Sequence, residues 1–128
     1  MFKKIKQTEI ANINQQEIST LIGDGFMING ELTGKSVVRI DGKVTGNVKV
    51  EGGIILGEKG IIIGDIQTKS AIIYGTINGN VKTNHLEIKK TGRVNGDIKT
   101  ETLQIELGAQ YNGKLEMKQL IQTEEKKV

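Results

Sequence analysis

Apolar positions recur along this chain in a fixed local order: a small residue, any, apolar, any, Gly, any, apolar. Three copies read Phe26-Met-Ile28-Asn-Gly30-Glu-Leu32, Gly42-Lys-Val44-Thr-Gly46-Asn-Val48 and Gly60-Ile-Ile62-Ile-Gly64-Asp-Ile66. Three more read Gly75-Thr-Ile77-Asn-Gly79-Asn-Val81, Gly92-Arg-Val94-Asn-Gly96-Asp-Ile98 and Ala109-Gln-Tyr111-Asn-Gly113-Lys-Leu115. The central glycines are spaced by 16, 18, 15, 17 and 17 residues. Seven or eight residues after each central Gly except the last comes an apolar-x-apolar pair: Val38/Ile40, Ile54/Leu56, Ala71/Ile73, Leu86/Ile88 and Leu103/Ile105. Self-similarity at such a period is the mark of stacked repeats, each one turn of a coil.

Alternation at period two turns this into strands. Val44, Gly46 and Val48 share parity, so they face one side, with room for a side chain on each flank and none at the vertex. Gly removes the Cβ at that corner. In four of the six copies the following residue is Asn47, Asp65, Asn80 or Asp97, residue types that tolerate bends and bond their own backbone. Each turn thus contains three short strands, starting for example at Val44, Val48 and Ile54. Strands of successive turns pair in parallel, with like side chains in ladders. From Ile40 and Ile73 the next small-position Gly is two residues on, and from Leu56 and Ile88 it is four. One corner is therefore a loop that accepts insertions while the strands keep register. The prediction is an all-β, three-sided parallel β-helix of about six rungs. A left-handed hexapeptide coil needs a strict period of about 18, which the wandering spacing does not supply. The residues alone leave handedness open.

Composition agrees. The 128 residues include 17 Gly, nearly double the usual ~7%, and no Pro or Cys. We count 20 Ile and 8 Val against 3 Ala. That is a strand composition, since β-branched side chains suit a pleated surface. Disulfides and cysteine metal sites are excluded, and no apolar run is long enough for a membrane helix. No secretory signal is evident, so a cytoplasmic location is expected. Residues 23–117 carry 12 Lys+Arg and 11 Asp+Glu, no basic excess for nucleic acid. Two Phe and two Tyr are too few for a base-stacking platform.

The chemistry of sites is sparse. His85 is the only histidine, and alternation turns it outward between inward Thr83 and Leu86. A β-helix transferase would have to use it, with only Glu87 nearby. Outward Glu51, Asp65, Glu87 and Asp97 are interleaved with Lys and Arg and read as a solvated surface. Gly23-Asp-Gly25 and Gly57-Glu-Lys-Gly60 lack the spacing of a phosphate loop and feed no helix. No catalytic residue, metal site, nucleotide site or cofactor is expected.

The ends carry more information. A coil buries its core only by stacking neighbours, and an uncapped end leaves strand N–H and C=O groups unpaired. Candidate stacking residues are Phe26, Ile28 and Leu32 in the first rung and Tyr111, Leu115 and Met117 in the last. Met117, Leu120 and Ile121 also have the spacing of one capping helical turn. Met1, Phe2, Lys3, Lys4 and Lys6 form a start suited to an anionic membrane surface, where each Lys adds about 1 kcal/mol. Many such segments along one polymer would bind by avidity. The expected organisation is a flexible tail over 1–19, a β-helix over 20–117 and a flexible tail over 118–128.

The run Thr20-Leu-Ile-Gly-Asp-Gly25, the rung Arg39-Ile-Asp-Gly-Lys-Val-Thr-Gly-Asn-Val48, the segment Thr91-Gly-Arg-Val-Asn-Gly-Asp-Ile98 and the close Gly108-Ala-Gln-Tyr-Asn-Gly-Lys-Leu-Glu-Met117 resemble the bactofilins. The rungs agree in order over roughly residues 19–118. Met1-Phe-Lys-Lys4 resembles the short membrane-targeting start of many members. The resemblance implies a right-handed β-helix between disordered tails. It implies bacterial cytoskeletal filaments that assemble without nucleotide, with subunits joined head to head and tail to tail and no polarity. It also implies a scaffold at the inner membrane surface for cell-wall enzymes or shape proteins. The family commonly has Phe where this chain has Tyr111, whose hydroxyl needs a partner. The residues by themselves also admit a β-helix that does not polymerise and binds another protein along a flat face.

Overall fold

A computed structural model describes residues 18–117, which form a parallel β-solenoid of six turns. The first turn is β1 (Ile18–Ile22), β2 (Met27–Asn29) and β3 (Leu32–Gly34). The second is β4 (Val37–Ile40), β5 (Lys43–Thr45) and β6 (Val48–Val50). The third is β7 (Gly53–Leu56), β8 (Ile61–Ile63) and the front half of β9 (Ile66–Ile73). The fourth is the back half of β9, β10 (Thr76–Asn78) and the front half of β11 (Val81–Ile88). The back half of β11, β12 (Arg93–Asn95) and β13 (Ile98–Thr100) make the fifth. The last is β14 (Thr102–Ile105), β15 (Gln110–Asn112) and β16 (Leu115–Met117).

Three faces result. Face 1 holds β1, β4, β7, β14 and the back halves of β9 and β11. Face 2 is the six-stranded sheet of β2, β5, β8, β10, β12 and β15. Face 3 holds β3, β6, β13, β16 and the front halves of β9 and β11, and those two long strands join it to face 1 as one ten-stranded sheet. Every pairing is parallel. The inward ladder of face 2 runs Ile28, Val44, Ile62, Ile77, Val94 and Tyr111, the apolar positions of the six sequence copies. Val44, Ile62, Ile77 and Val94 are wholly inaccessible to solvent. Ile40, Leu56, Ile73 and Ile88 form an equally inaccessible ladder on face 1.

The corner between faces 1 and 2 varies in length, as the spacing requires. The long form is a four-residue turn closed by a backbone bond, such as Gly60 N–H to the Gly57 carbonyl at 2.8 Å and Gly92 N–H to the Lys89 carbonyl at 2.8 Å. The short form passes through Asp41-Gly42 or Tyr74-Gly75. The corner between faces 3 and 1 uses inward threonines. Thr83 donates to the Lys69 and His85 carbonyls at 3.0 and 3.1 Å, and Thr100 donates to the Thr102 carbonyl at 2.9 Å. A buried hydroxyl must find such partners, and here it takes backbone carbonyls at the bend.

Three expectations need correcting. First, Ile18 and Ser19, expected in the tail, already belong to the coil as part of β1, which pairs with β4. Thr20 and Ile22 occupy the positions of Val38 and Ile40, so the first copy of the apolar-x-apolar pair is disguised by a threonine. Second, the central glycines answer to the neighbouring turn and not to crowding inside the corner. A Cβ on Gly79 would lie 1.9 Å from the Gly64 carbonyl oxygen, one turn back, and the residue has φ +155°. Third, the residue after the corner Gly bonds the next turn, not its own backbone. Asn47 Oδ1 accepts from Asp65 N–H at 3.0 Å, Asp65 Oδ1 from Asn80 N–H at 2.9 Å, and Asn80 Oδ1 from Asp97 N–H at 3.0 Å. Asp97 Oδ1 ends the ladder on Lys114 N–H at 3.1 Å.

Candidate functional site

Within the described residues the two ends of the coil are open. Among the described residues β1, β2 and β3 pair only with the turn above them, and β14, β15 and β16 only with the turn below. The outer edge of each end strand thus offers the unpaired N–H and C=O groups of a sheet edge.

At the N-terminal end Phe26 occupies the column that is Gly42, Gly60, Gly75 and Gly92 in the following turns. In that column a Cβ points back at the preceding turn: on Gly42 it would lie 2.4 Å from the Phe26 carbonyl oxygen. Among the described residues Phe26 has no preceding turn, so a full aromatic ring fits, and it is 70% exposed. Ile28 and Leu32 are partly buried against the core as the first members of their ladders. Gly30 keeps φ +129°, yet a Cβ there would meet nothing within 4 Å. Sequence reasoning missed Leu21 and Met27, both largely exposed apolar residues of this first turn. Met27 was legible only as the variable position beside Ile28, and Leu21 lies on the strand that Thr20 disguised.

At the C-terminal end Leu115 and Met117 are nearly half exposed, and Tyr111 is half-buried against the last core ladder. The Tyr111 hydroxyl finds its partner inside the subunit, donating to the Lys114 carbonyl. Burial pushes its pKa up, a backbone contact at Ile98 pulls it down, and Asp97 adds to the upward push. Ile105 and the almost fully exposed Leu107 extend this apolar end and were missed. Leu107 sits in the turn before Ala109, outside the strand grammar. Met1, Phe2, Lys3, Lys4 and Lys6, and Leu120 and Ile121 of the capping trio, lie outside the described residues.

The side faces carry little site chemistry. His85 is exposed, and its Nδ1 lies 2.8 Å from Thr102 Oγ1. Among the described residues no three His, Cys, Asp or Glu side chains gather as metal ligands, and no helix is long and apolar enough to cross a membrane. Lys89 lies between Glu87 at 3.4 Å and Glu106 at 3.5 Å. Burial works against its ammonium, but the two carboxylates outweigh it and hold the pKa above the ordinary value. Arg39 forms a bidentate pair with Asp41 at 2.9 and 3.1 Å. The Asp41 hydrogen bond raises its pKa against a burial cost. The Asp41 carboxylate occupies the space where a Cβ on Gly57 would stand.

Comparison with known proteins agrees with this geometry. Residues 20–116 match the bactofilin family, described as polymer-forming cytoskeletal. Two Myxococcus xanthus proteins, bactofilin BacP and bactofilin BacO, are 30% identical over 76 residues and 33% identical over 72. These matches cover 59% and 56% of this chain but 32% and 57% of the relatives, so the chain spans about a third and somewhat over half of their lengths. The cytoskeletal bactofilin BacA, solved by solid-state NMR, superposes with a TM-score of 0.73 at 29% identity, covering 80% of this chain and 99% of BacA. The Thermus thermophilus bactofilin in double helical filaments, solved by cryo-electron microscopy, superposes with a TM-score of 0.69 at 28% identity, covering 75% and 98%.

Proposed function

The chain belongs to the bactofilin family of polymer-forming cytoskeletal proteins, and we propose that it assembles end to end, without nucleotide, into filaments that scaffold the inner membrane surface. The observation that carries this reading is the pair of open ends, where unpaired strand edges coincide with exposed apolar side chains. Phe26, Ile28 and Leu32 form one contact, head to head. Tyr111, Leu115 and Met117 form the other, tail to tail, and such a filament has no polarity. Each contact continues three sheets and several core ladders at once, so backbone bonds and apolar burial act together. The structure of filaments of the Thermus relative supports self-association as the working state.

Electron microscopy of the purified chain is expected to show long filaments without added nucleotide. Leu115→Arg places a charge where it would have to be desolvated, and is expected to leave short oligomers or dimers. Long filaments from that variant would overturn the C-terminal contact.

Membrane attachment is assigned to Met1, Phe2, Lys3, Lys4 and Lys6, with Phe2 at the headgroup boundary and the lysines over anionic lipid. A single such segment binds reversibly, and a filament multiplies it. Full-length filaments should float with anionic vesicles, and filaments lacking residues 1–7 should not. Equal flotation would remove the assignment.

A further inference from the structure

Four of the six corner glycines follow an asparagine, in Asn29-Gly30, Asn78-Gly79, Asn95-Gly96 and Asn112-Gly113. This dipeptide has a chemistry of its own. The Gly backbone nitrogen, with no Cβ to shield it, can lose its proton and attack the Asn side-chain carbon Cγ. A C–N bond forms and closes a succinimide ring, and the Cγ–Nδ2 bond breaks to release ammonia. Water then opens the ring to aspartate or isoaspartate, with no other reactant. Closure requires the peptide between the two residues to rotate out of the strand, so the hydrogen bonds that hold that peptide block the step.

The coil blocks it at three of the four positions. Gly30 N–H donates to the Thr45 carbonyl at 2.9 Å, Gly79 N–H to the Asn95 carbonyl at 2.9 Å and Gly96 N–H to the Asn112 carbonyl at 3.0 Å, each one turn on. The inner pair is held further. The Asn78 carbonyl accepts from Gly64 N–H at 2.9 Å and the Asn95 carbonyl from Gly79 N–H. Asn95 Nδ2 also donates to Asn78 Oδ1 at 2.9 Å, which pins both carboxamides. Gly113 is different. Residues 118–128 contain no Gly and so no further copy of the repeat, and among the described residues its N–H has no backbone acceptor. Asn112 and Gly113 are both exposed. Within the described residues the backbone bond to be released there is the one that the Asn112 carbonyl accepts from Gly96 N–H, and the attacking nitrogen is unbound.

We infer that Asn112-Gly113 is a self-modification site, open on a free C-terminal end and closed when that end is joined. The closing rests on the tail-to-tail contact proposed above, in which a second copy brings its own strand edge against β15 and covers the Gly113 N–H. The product puts a carboxylate next to Tyr111 in the contact surface, and isoaspartate also adds a methylene to the backbone of β15. A joint between two such ends sets anion against anion where both must be desolvated. A tail that waits unjoined therefore loses its capacity to join, while a tail inside a filament is preserved.

Two variants separate the cases. Leu115→Arg blocks the tail contact and leaves tails free, whereas Phe26→Arg blocks the head contact and leaves tail-to-tail dimers. Both are incubated at mildly alkaline pH, and conversion at each asparagine is followed by peptide mass spectrometry. In Leu115→Arg, Asn112 is expected to convert at least about tenfold faster than Asn78 and Asn95, since each bond to be released slows opening by about fivefold and those positions carry two more. In Phe26→Arg the Asn112 rate should fall to that of the inner positions. Equal rates at Asn78, Asn95 and Asn112 in Leu115→Arg would overturn the site. Fast conversion of Asn112 in both variants would overturn the protection, and with it the tail-to-tail contact, while the site itself stood. Asn112→Asp fixes the product, and electron microscopy of it should show dimers or short oligomers. Long filaments from Asn112→Asp would overturn the loss of joining.

Discussion

Ile77 and Leu115 are both inward apolar residues of the same repeat, yet Ile77 is inaccessible and Leu115 is nearly half exposed. Gly79 and Gly30 share a corner and a positive φ, yet a Cβ on Gly79 would strike the Gly64 carbonyl while one on Gly30 would meet open space. Middle and end turns therefore differ in their neighbours and not in their design. In a coil each turn is completed by the next, and among the described residues the outermost turns have a neighbour on one side only.

The sharpest way to break this comparison is at the glycines. Gly79→Ala forces a Cβ to 1.9 Å from a backbone oxygen that cannot move aside. It is expected to cost more than about 4 kcal/mol and to lower Tm by more than about 15 °C. Gly30→Ala meets only the backbone strain, about 1–3 kcal/mol. Thermal unfolding by circular dichroism of the two variants decides, and equal losses would mean that strain, not the neighbouring turn, sets the need for Gly.

The side chains sharpen it next. Ile77→Ala empties a closed core position and should cost about 2–5 kcal/mol. Leu115→Ala in dispersed subunits should cost less than half as much, because much of that side chain is already in water. Urea denaturation of each variant gives the two values, and a Leu115 loss as large as that of Ile77 would mean that the last turn is already capped.

The smallest effect is at Tyr111. Tyr111→Phe removes the bond to the Lys114 carbonyl and should cost less than about 1 kcal/mol at neutral pH. The folded state holds the phenol proton more tightly than the unfolded state, whose pKa is about 10. The associated stability is complete below that pH and is lost as pH rises through the higher folded pKa. Stability measured through this alkaline window should decline more steeply in the parent than in Tyr111→Phe, and identical slopes would contradict the shift.

Most of the coil was legible because its long-range contacts repeat at a short sequence period. Val44, Ile62 and Ile77 announce their pairing by position alone. The first strand was not, since Thr20 interrupts the apolar-x-apolar signal that Ile22 completes. The direction of the glycine constraint was hidden as well, because parity shows which side a Cβ faces but not which neighbouring turn it would strike. The outward apolar cluster of Val37, Ile55 and Ile72 escaped for a related reason. Val37-Val38, Ile54-Ile55-Leu56 and Ile72-Ile73 are continuous apolar runs, and a search for alternation keeps the inward members and passes over the others. At the ends, Phe26 and Tyr111 were legible as members of the first and last copies of the repeat. Leu107 gave no such signal from inside a turn.

The corner ladder of Asn47, Asp65, Asn80 and Asp97 has a mechanical consequence. These bonds, like the backbone bonds of all three faces, lie along the coil axis, while the chain itself winds around it. Within a subunit every boundary between turns is also crossed by covalent chain at the corners. At a junction between subunits no chain crosses. A rod built from such units is weakest under tension at its joints, and when pulled it parts there, releasing intact subunits whose ends can be joined again.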